Sequence, residues 1–219
     1  MELLVLDPFG DYDTAGYLRN HYQEKDLNLI GHVETAAFEQ EIVHVVRSLR
    51  KASSITYEHV TTTHQSLFQS VYPWAGQDRS TTAPTIAIVK GWVQDTICSS
   101  SRRAAAAEHA LHLGQDRNYL RGHPGEVFGY LAHAHPFLEG NGRTILTIFA
   151  ELSRRAGFHI QWEAMDKTEF LETLTRELLQ PGKATMDQFV LPFLQEGVLS
   201  VESTASRLRV NFKGPPSAS

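Results

Sequence analysis

The sequence predicts a mostly helical protein: apolar residues recur at helical spacing in several separate stretches, residues that cap helices stand before them, and one short run alone favours a strand. The first stretch is Glu34 to Lys51, where Ala37, Phe38, Ile42, Val45, Val46 and Leu49 fall on one face. Thr56 is placed to cap a second helix reaching about Val71. Tyr72-Pro73-Trp74-Ala75-Gly76 then reads as a turn, and Thr85-Ile86-Ala87-Ile88-Val89 is the β-prone run, ended by Lys90-Gly91. Alanine-rich Arg102 to Leu113 predicts the next helix, with Gly114 as its stop. Pro124 to Ala134 predicts another, which Pro136 cannot continue. Behind Arg143, Ile145, Ile148, Phe149, Leu152 and Ala156 recur at helical spacing up to a stop at Gly157. Asp166 and Glu169 form a D-x-x-E start for a helix to about Leu179, and Thr185 is placed to cap one to about Glu196. Pro215 to Ser219 has the composition of a frayed end. The expectation is one domain over residues 1–200, followed by a partly disordered tail, 201–219.

Composition bounds the function. A chain of 219 residues with 42% hydrophobic content can bury one sizeable core, and neither a linker nor a repeat divides it. A net charge of −5 with dispersed Lys and Arg argues against nucleic acid as a partner. Cys98 has no second cysteine with which to form an internal disulfide, which fits a reducing compartment. The apolar start, Leu3 to Leu6, is too short and too close to acids for a signal peptide or a membrane span. A cytoplasmic protein with no membrane partner is therefore expected, although delivery into a host cell by a dedicated secretion machine would leave no such signal.

Chemistry concentrates in His135-Pro136-Phe137-Leu138-Glu139-Gly140-Asn141-Gly142-Arg143. His135 is a proton acceptor at a helix end, Glu139 a hard oxygen ligand for a metal, and Arg143 a fixed cation. Gly140 and Gly142 permit left-handed or crowded backbone angles, so amides around Asn141 can turn inward as a nest for phosphate oxygens at the positive end of the following helix. The chain has no G-x-x-x-x-G-K-[ST] loop, so this anion hole would be built without a P-loop. The segment reads as a phosphoryl or nucleotidyl transfer site.

His135 to Arg143 resembles the H-P-F-x-[DE]-G-N-G-R signature of the Fic family of nucleotidyl transferases. Trp74-Ala75-Gly76-Gln77-Asp78-Arg79 resembles the family's W-A-G-x-x-R turn, and Gly16-Tyr17-Leu18-Arg19-Asn20 a segment near the start of bacterial members. The resemblance implies an all-α, Fic-type bundle of about six to eight helices with a small β-hairpin flap. It also implies an enzyme that transfers AMP from ATP to a Ser, Thr or Tyr hydroxyl of a target protein. On that basis His135 is the general base, Phe137 the anchor of the loop, and Glu139 the ligand of Mg²⁺. Gly140, Asn141, Gly142 and Arg143 bind the phosphates. Thr85, Ile86, Ala87, Ile88 and Val89, within a flap of approximately Thr82 to Gly91, would hold the target as an added strand. A bacterial toxin and an effector both fit this picture.

Two departures from the family pattern stand out. Where members commonly carry a second arginine for the γ-phosphate, this chain has Leu146. ATP is then held more weakly, or another basic residue substitutes, or the donor lacks a γ-phosphate. Transfer of UMP, phosphocholine or a phosphoryl group, and a noncatalytic nucleotide-binding module, are the competing readings. The self-inhibitory [ST]-x-x-x-E-[GN] motif is also absent: of the two Glu-Gly pairs, one lies inside the loop and the other, Glu196-Gly197, has Pro192 at the hydroxyl position. Any restraint would then come from a separate antitoxin-like chain or another mechanism. Elsewhere, His133, the pair His109 and His112, and Trp74 and Trp92 read as surface or packing residues.

Overall fold

Residues 19–82 and 102–210, which the structure, a computed structural model, describes, form ten α-helices and one pair of short strands. The helices are α1 (Leu27–Leu49), α2 (Tyr57–Phe68), α3 (Arg79–Thr82), α4 (Arg103–Gln115), α5 (Arg117–Gly122), α6 (Pro124–Ala134), α7 (Asn141–Arg155), α8 (Lys167–Leu179), α9 (Thr185–Val190) and α10 (Val201–Val210). Strand β1 (Phe158–Ile160) pairs antiparallel with β2 (Leu194–Glu196), Phe158 facing Glu196 and Ile160 facing Leu194. The helical architecture agrees with expectation. The count exceeds it because α3, α5 and α9 are one or two turns long and carry little periodicity of their own.

Helix α7 occupies the centre. Ile148, Phe149 and Leu152 are fully buried, and α7 packs against α1, α2, α4, α6 and α10. Its polar exceptions bond locally or to neighbours: Glu151 pairs with Arg154 and Arg155, and Thr147 donates to the Arg143 carbonyl at 2.7 Å. Helix α1 begins at Leu27 rather than Glu34, because the Asp26 side chain accepts from the amides of Asn28 (2.8 Å) and Leu29 (3.4 Å). Helix α4 runs through Gly114, which is a contact residue and not a stop. A Cβ there would lie 2.8 Å from Leu152 of α7.

Three further segments differ from the sequence expectation. Thr185 is the first residue of α9 and not its cap; Ala184 precedes it in a left-handed conformation, and the Met186 amide donates to Glu177 instead. The helix stops at Val190, Pro192 lies in a 3₁₀ turn, and the chain becomes β2 where helix was expected to reach Glu196. Residues 201–210, expected as the start of a tail, form α10, whose Ala205 and Leu208 are buried and which packs on α1 and α7. Ser200 starts it by accepting the Ser203 amide at 3.0 Å. The flap residues Thr85 to Val89 lie outside the described residues, and Thr82, expected as the flap's first residue, closes the one-turn helix α3.

Candidate active site

The loop from His135 to Gly140 joins α6 to α7, and both of its ends depart from ordinary backbone geometry. His135 ends α6 at φ 42°, ψ 60°, a left-handed conformation that a side chain with a Cβ adopts at a cost of about 1–2 kcal/mol. What holds it there is Arg79, a buried guanidinium whose Nε donates to the His135 carbonyl at 2.8 Å, while its amide donates to the Pro136 carbonyl at 2.8 Å. The turn that carries Arg79 is itself fixed. Asp78 accepts from the fully buried Arg103 of α4 at 2.7 Å and from the Tyr57 hydroxyl of α2. Burial pushes the Asp78 carboxyl up, but the Tyr57, Ser80 and Arg103 hydrogen bonds outweigh it and hold it below the usual carboxylate range.

Below the loop lies an aromatic floor from α2. Phe137 is fully buried and stacks on His64, with ring centroids 3.8 Å apart. His64 Nδ1 accepts from the Gly76 amide at 2.8 Å, so its proton sits on Nε2, which donates to the Glu139 carbonyl at 2.9 Å. Burial lowers the His64 pKa to about 3, against the Glu139 hydrogen bond that favours protonation, with Arg143 adding to the lowering. The ring is therefore a neutral two-ended strut between the Trp74–Gly76 turn and the loop. Gly140, at φ 78°, closes over the floor, and a Cβ there would lie 2.7 Å from Phe68 and 3.1 Å from His64. No larger residue fits.

Asn141 was expected to contact phosphate. Its side chain is 4% exposed and bonded at both ends to Phe137: Oδ1 accepts the Phe137 amide at 2.9 Å, and Nδ2 donates to the Phe137 carbonyl at 2.7 Å. The side chain staples the loop, and only its backbone amide points to the helix terminus. Gly142, likewise expected to supply backbone freedom, has no positive φ; it is exposed, and a Cβ would meet nothing within 4 Å. Helix α7 starts at Asn141, earlier than Arg143, and has no side-chain cap. Thr144 is the first residue to bond back, to the Gly140 carbonyl at 3.1 Å. The amides of Asn141, Gly142 and Arg143 have no acceptor among the described residues, and the positive end of the helix dipole adds to their field.

Beside this terminus stand the charged side chains. Glu139 is exposed, and its Oε1 accepts the Gly140 amide at 2.9 Å. Arg143 lies over the Phe68 ring, 4.7 Å from its centroid, and donates from Nη2 to Glu34 of α1 at 2.8 Å. Glu139 and Arg143 thus stand on either side of the open amides in the chain, and His135 is fixed in the same loop through its carbonyl. Glu34, His64 and Arg79 support that arrangement without standing in the motif. Composition gave no signal for Glu34 or His64; Arg79 stood in the W-A-G-x-x-R turn. Leu146, one turn beyond Arg143, is 8% exposed within the core, so it presents no polar group to the site.

Comparison with known proteins finds both the segment that carries this loop and the fold around it in other chains. The Fic/DOC family model matches residues 54–152, from the start of α2 through the loop into α7. The chain is 29% identical over 171 residues to protein adenylyltransferase VbhT of Bartonella schoenbuchensis, covering 74% of this chain and 34% of VbhT, and so spans about a third of that relative's length. It is 27% identical to the probable protein adenylyltransferase y4lH of Sinorhizobium fredii, covering 78% of this chain and 88% of that one. Among solved structures, the N-terminal Fic domain of a VirB-translocated effector from Bartonella quintana with bound ADP aligns with a TM-score of 0.67 at 21% identity, covering 85% and 94% of the two chains. BepC of Bartonella tribocorum with bound AMPPNP aligns at 0.64 and 20%, covering 82% and 92%. Residues 54–152, which carry the nine-residue loop, are thus similar to the Fic/DOC family, and the helical architecture around them is shared with solved Fic domains.

Proposed function

We propose that this protein is an adenylyltransferase that moves AMP from ATP onto a Ser, Thr or Tyr hydroxyl of a target protein. The observation that carries this reading is the uncapped start of α7, whose first three amides lack acceptors among the described residues, in the loop that carries His135, Glu139 and Arg143. Such a terminus accepts an anion, and the similarity to relatives named adenylyltransferases supports a nucleotide as that anion.

In the proposed reaction the target's hydroxyl oxygen bonds to the α-phosphorus while the bond to the bridging oxygen breaks, and pyrophosphate leaves. His135 receives the hydroxyl proton; an imidazole with an ordinary pKa of about 6.5 suits that task near neutral pH. The α7 amides and Arg143 bind the phosphate oxygens and offset the growing negative charge. Glu139 is the hard-oxygen ligand of the loop, and one carboxylate together with nucleotide phosphates is a donor set that fits Mg²⁺. When bound there, the ion neutralises charge on the departing diphosphate. Thr85 to Val89 are proposed to receive the target as an added strand.

Leu146 favours a second reading. An apolar, buried residue at that place gives a γ-phosphate no cation, so a donor that lacks a γ-phosphate, such as another diphosphate compound, fits the same loop. A single labelling experiment tests both. With candidate target proteins, label from [α-³²P]ATP transfers to protein and falls at least about 100-fold in His135→Ala. Label arriving only from the γ position, or only from another nucleotide, replaces AMP as the transferred group; none from any nucleotide overturns the enzymatic reading. Among the described residues no helix is long and apolar enough to cross a membrane. Action in a cytoplasm, and restraint by a separate antitoxin-like chain, complete the proposal.

A further inference from the structure

We infer that Glu34 is a positioning residue for the phosphate clamp, a role that rests on the nucleotide-transfer reading above. Glu34 lies on α1, far from the loop in sequence, yet its carboxylate reaches the first turn of α7. Oε2 accepts from Arg143 Nη2 at 2.8 Å, and Oε1 accepts from the Tyr72 hydroxyl at 2.7 Å. Both members of the ion pair are almost buried, with side chains 9% and 12% exposed. Tyr72 is buried as well, and burial followed by the charge of Glu34 keeps its hydroxyl protonated as a donor. The carboxylate is therefore fixed from one side and fixes the arginine from the other.

The consequence for Arg143 is geometric. An arginine on a helix surface samples many rotamers, and ordering it on a ligand costs binding free energy. Here one face of the guanidinium rests on Phe68 and one nitrogen is tied to Glu34. Its remaining N–H groups have no acceptor among the described residues, so they stay available to a phosphate with the side chain already in place. An inhibitory glutamate would act in the opposite sense, holding the cation away from nucleotide, and the residues around Glu34 do not form the inhibitory motif: Ile30 stands at its hydroxyl position and Thr35 follows the glutamate.

Calorimetry with the full chain decides the sign. Glu34→Ala weakens Mg-ATP binding about tenfold while adenosine, which lacks phosphates, binds as before. Glu34→Gln, which keeps an acceptor oxygen, stays within about threefold of the parent. Equal or tighter ATP binding in Glu34→Ala overturns the proposal in favour of restraint, and parallel loss of ATP and adenosine overturns it in favour of a merely structural role. If Glu34→Ala fails to fold, Tyr72→Phe decides, since it keeps the aromatic packing and frees the carboxylate: ATP binding falls about threefold with adenosine unchanged, and any other pattern overturns the proposal. Binding is read apart from label transfer, so a chain that binds ATP but labels no target sinks the adenylyltransferase reading and still decides the role of Glu34. A parent chain that binds no ATP overturns both.

Discussion

Helices α6 and α7 begin in opposite ways. At the start of α6, Asp187 arrives from α9 and accepts the amides of Gly125 (2.6 Å) and Glu126 (3.0 Å), and the backbones approach so closely that a Cβ on Gly125 would lie 2.2 Å from Met186. At the start of α7 no side chain caps the helix, a left-handed glycine precedes it, and a second glycine leaves open space in front. Both termini carry the same partial positive charge. In α6 the fold neutralises it with its own buried carboxylate; in α7 no side chain of the described residues does so, and the proposed nucleotide would. A glycine therefore has two meanings here. At 125 and 140 it permits contact, whereas at 142 it keeps space clear.

The largest effect expected from testing this contrast is at Gly140. Gly140→Ala places a methyl group against Phe68 at a positive φ, and a loss of about 2–4 kcal/mol in denaturant unfolding is expected, together with loss of ATP binding. Asp187→Ala removes the acceptor of two amides and is expected to cost about 1–3 kcal/mol while leaving ATP affinity unchanged. If ATP affinity fell in step with stability, the two termini would not be independent. The smallest effect is a pH dependence. His64 has a pKa of about 3 in the folded protein, below the unfolded value of about 6.5, so the unfolded chain binds more protons between those limits. Stability from this group is fully present above pH 6.5 and declines on acidification, with a slope of up to about 1.4 kcal/mol per pH unit. Urea midpoints measured from pH 7.5 to 5 should show a shallower decline in His64→Gln than in the parent, and parallel curves would show that His64 does not contribute.

The loop was legible in the sequence because its chemistry is contiguous, and α6 was legible at both ends because Pro124 and Pro136 mark them. Helix α8 was equally clear from Asp166, whose side chain accepts the Glu169 amide. Partners distant in sequence left no such mark. Glu34 sat unremarked in a helical pattern, and His64 lay among residues already assigned to α2, since periodicity reports which face is buried but not what a buried polar group bonds to. The bonding of the Asn141 side chain left no mark for the same reason: adjacency to glycines said nothing of the Phe137 backbone that closes on it. The β1–β2 pair consists of three-residue strands too short for alternation to register, and α10 was hidden by its nearness to a tail of disordered composition.

Helices α1 and α7 are joined at two levels. Near the loop the link is Glu34 to Arg143; at the other end Arg155 donates to the carbonyls of Leu49 (3.2 Å), Ala52 (2.6 Å) and Ser53 (2.9 Å), closing the C-terminus of α1. Glu34 and Leu49 are about 22 Å apart along α1 at about 1.5 Å per residue, and Arg143 and Arg155 about 18 Å along α7. Two rivets at that separation forbid axial sliding, because a shift of one helix past the other breaks both together. Displacement of α1 along α7 would therefore cost the Glu34–Arg143 pair and the Arg155 hydrogen bonds at once, which ties the position of the guanidinium over Phe68 to that of α1.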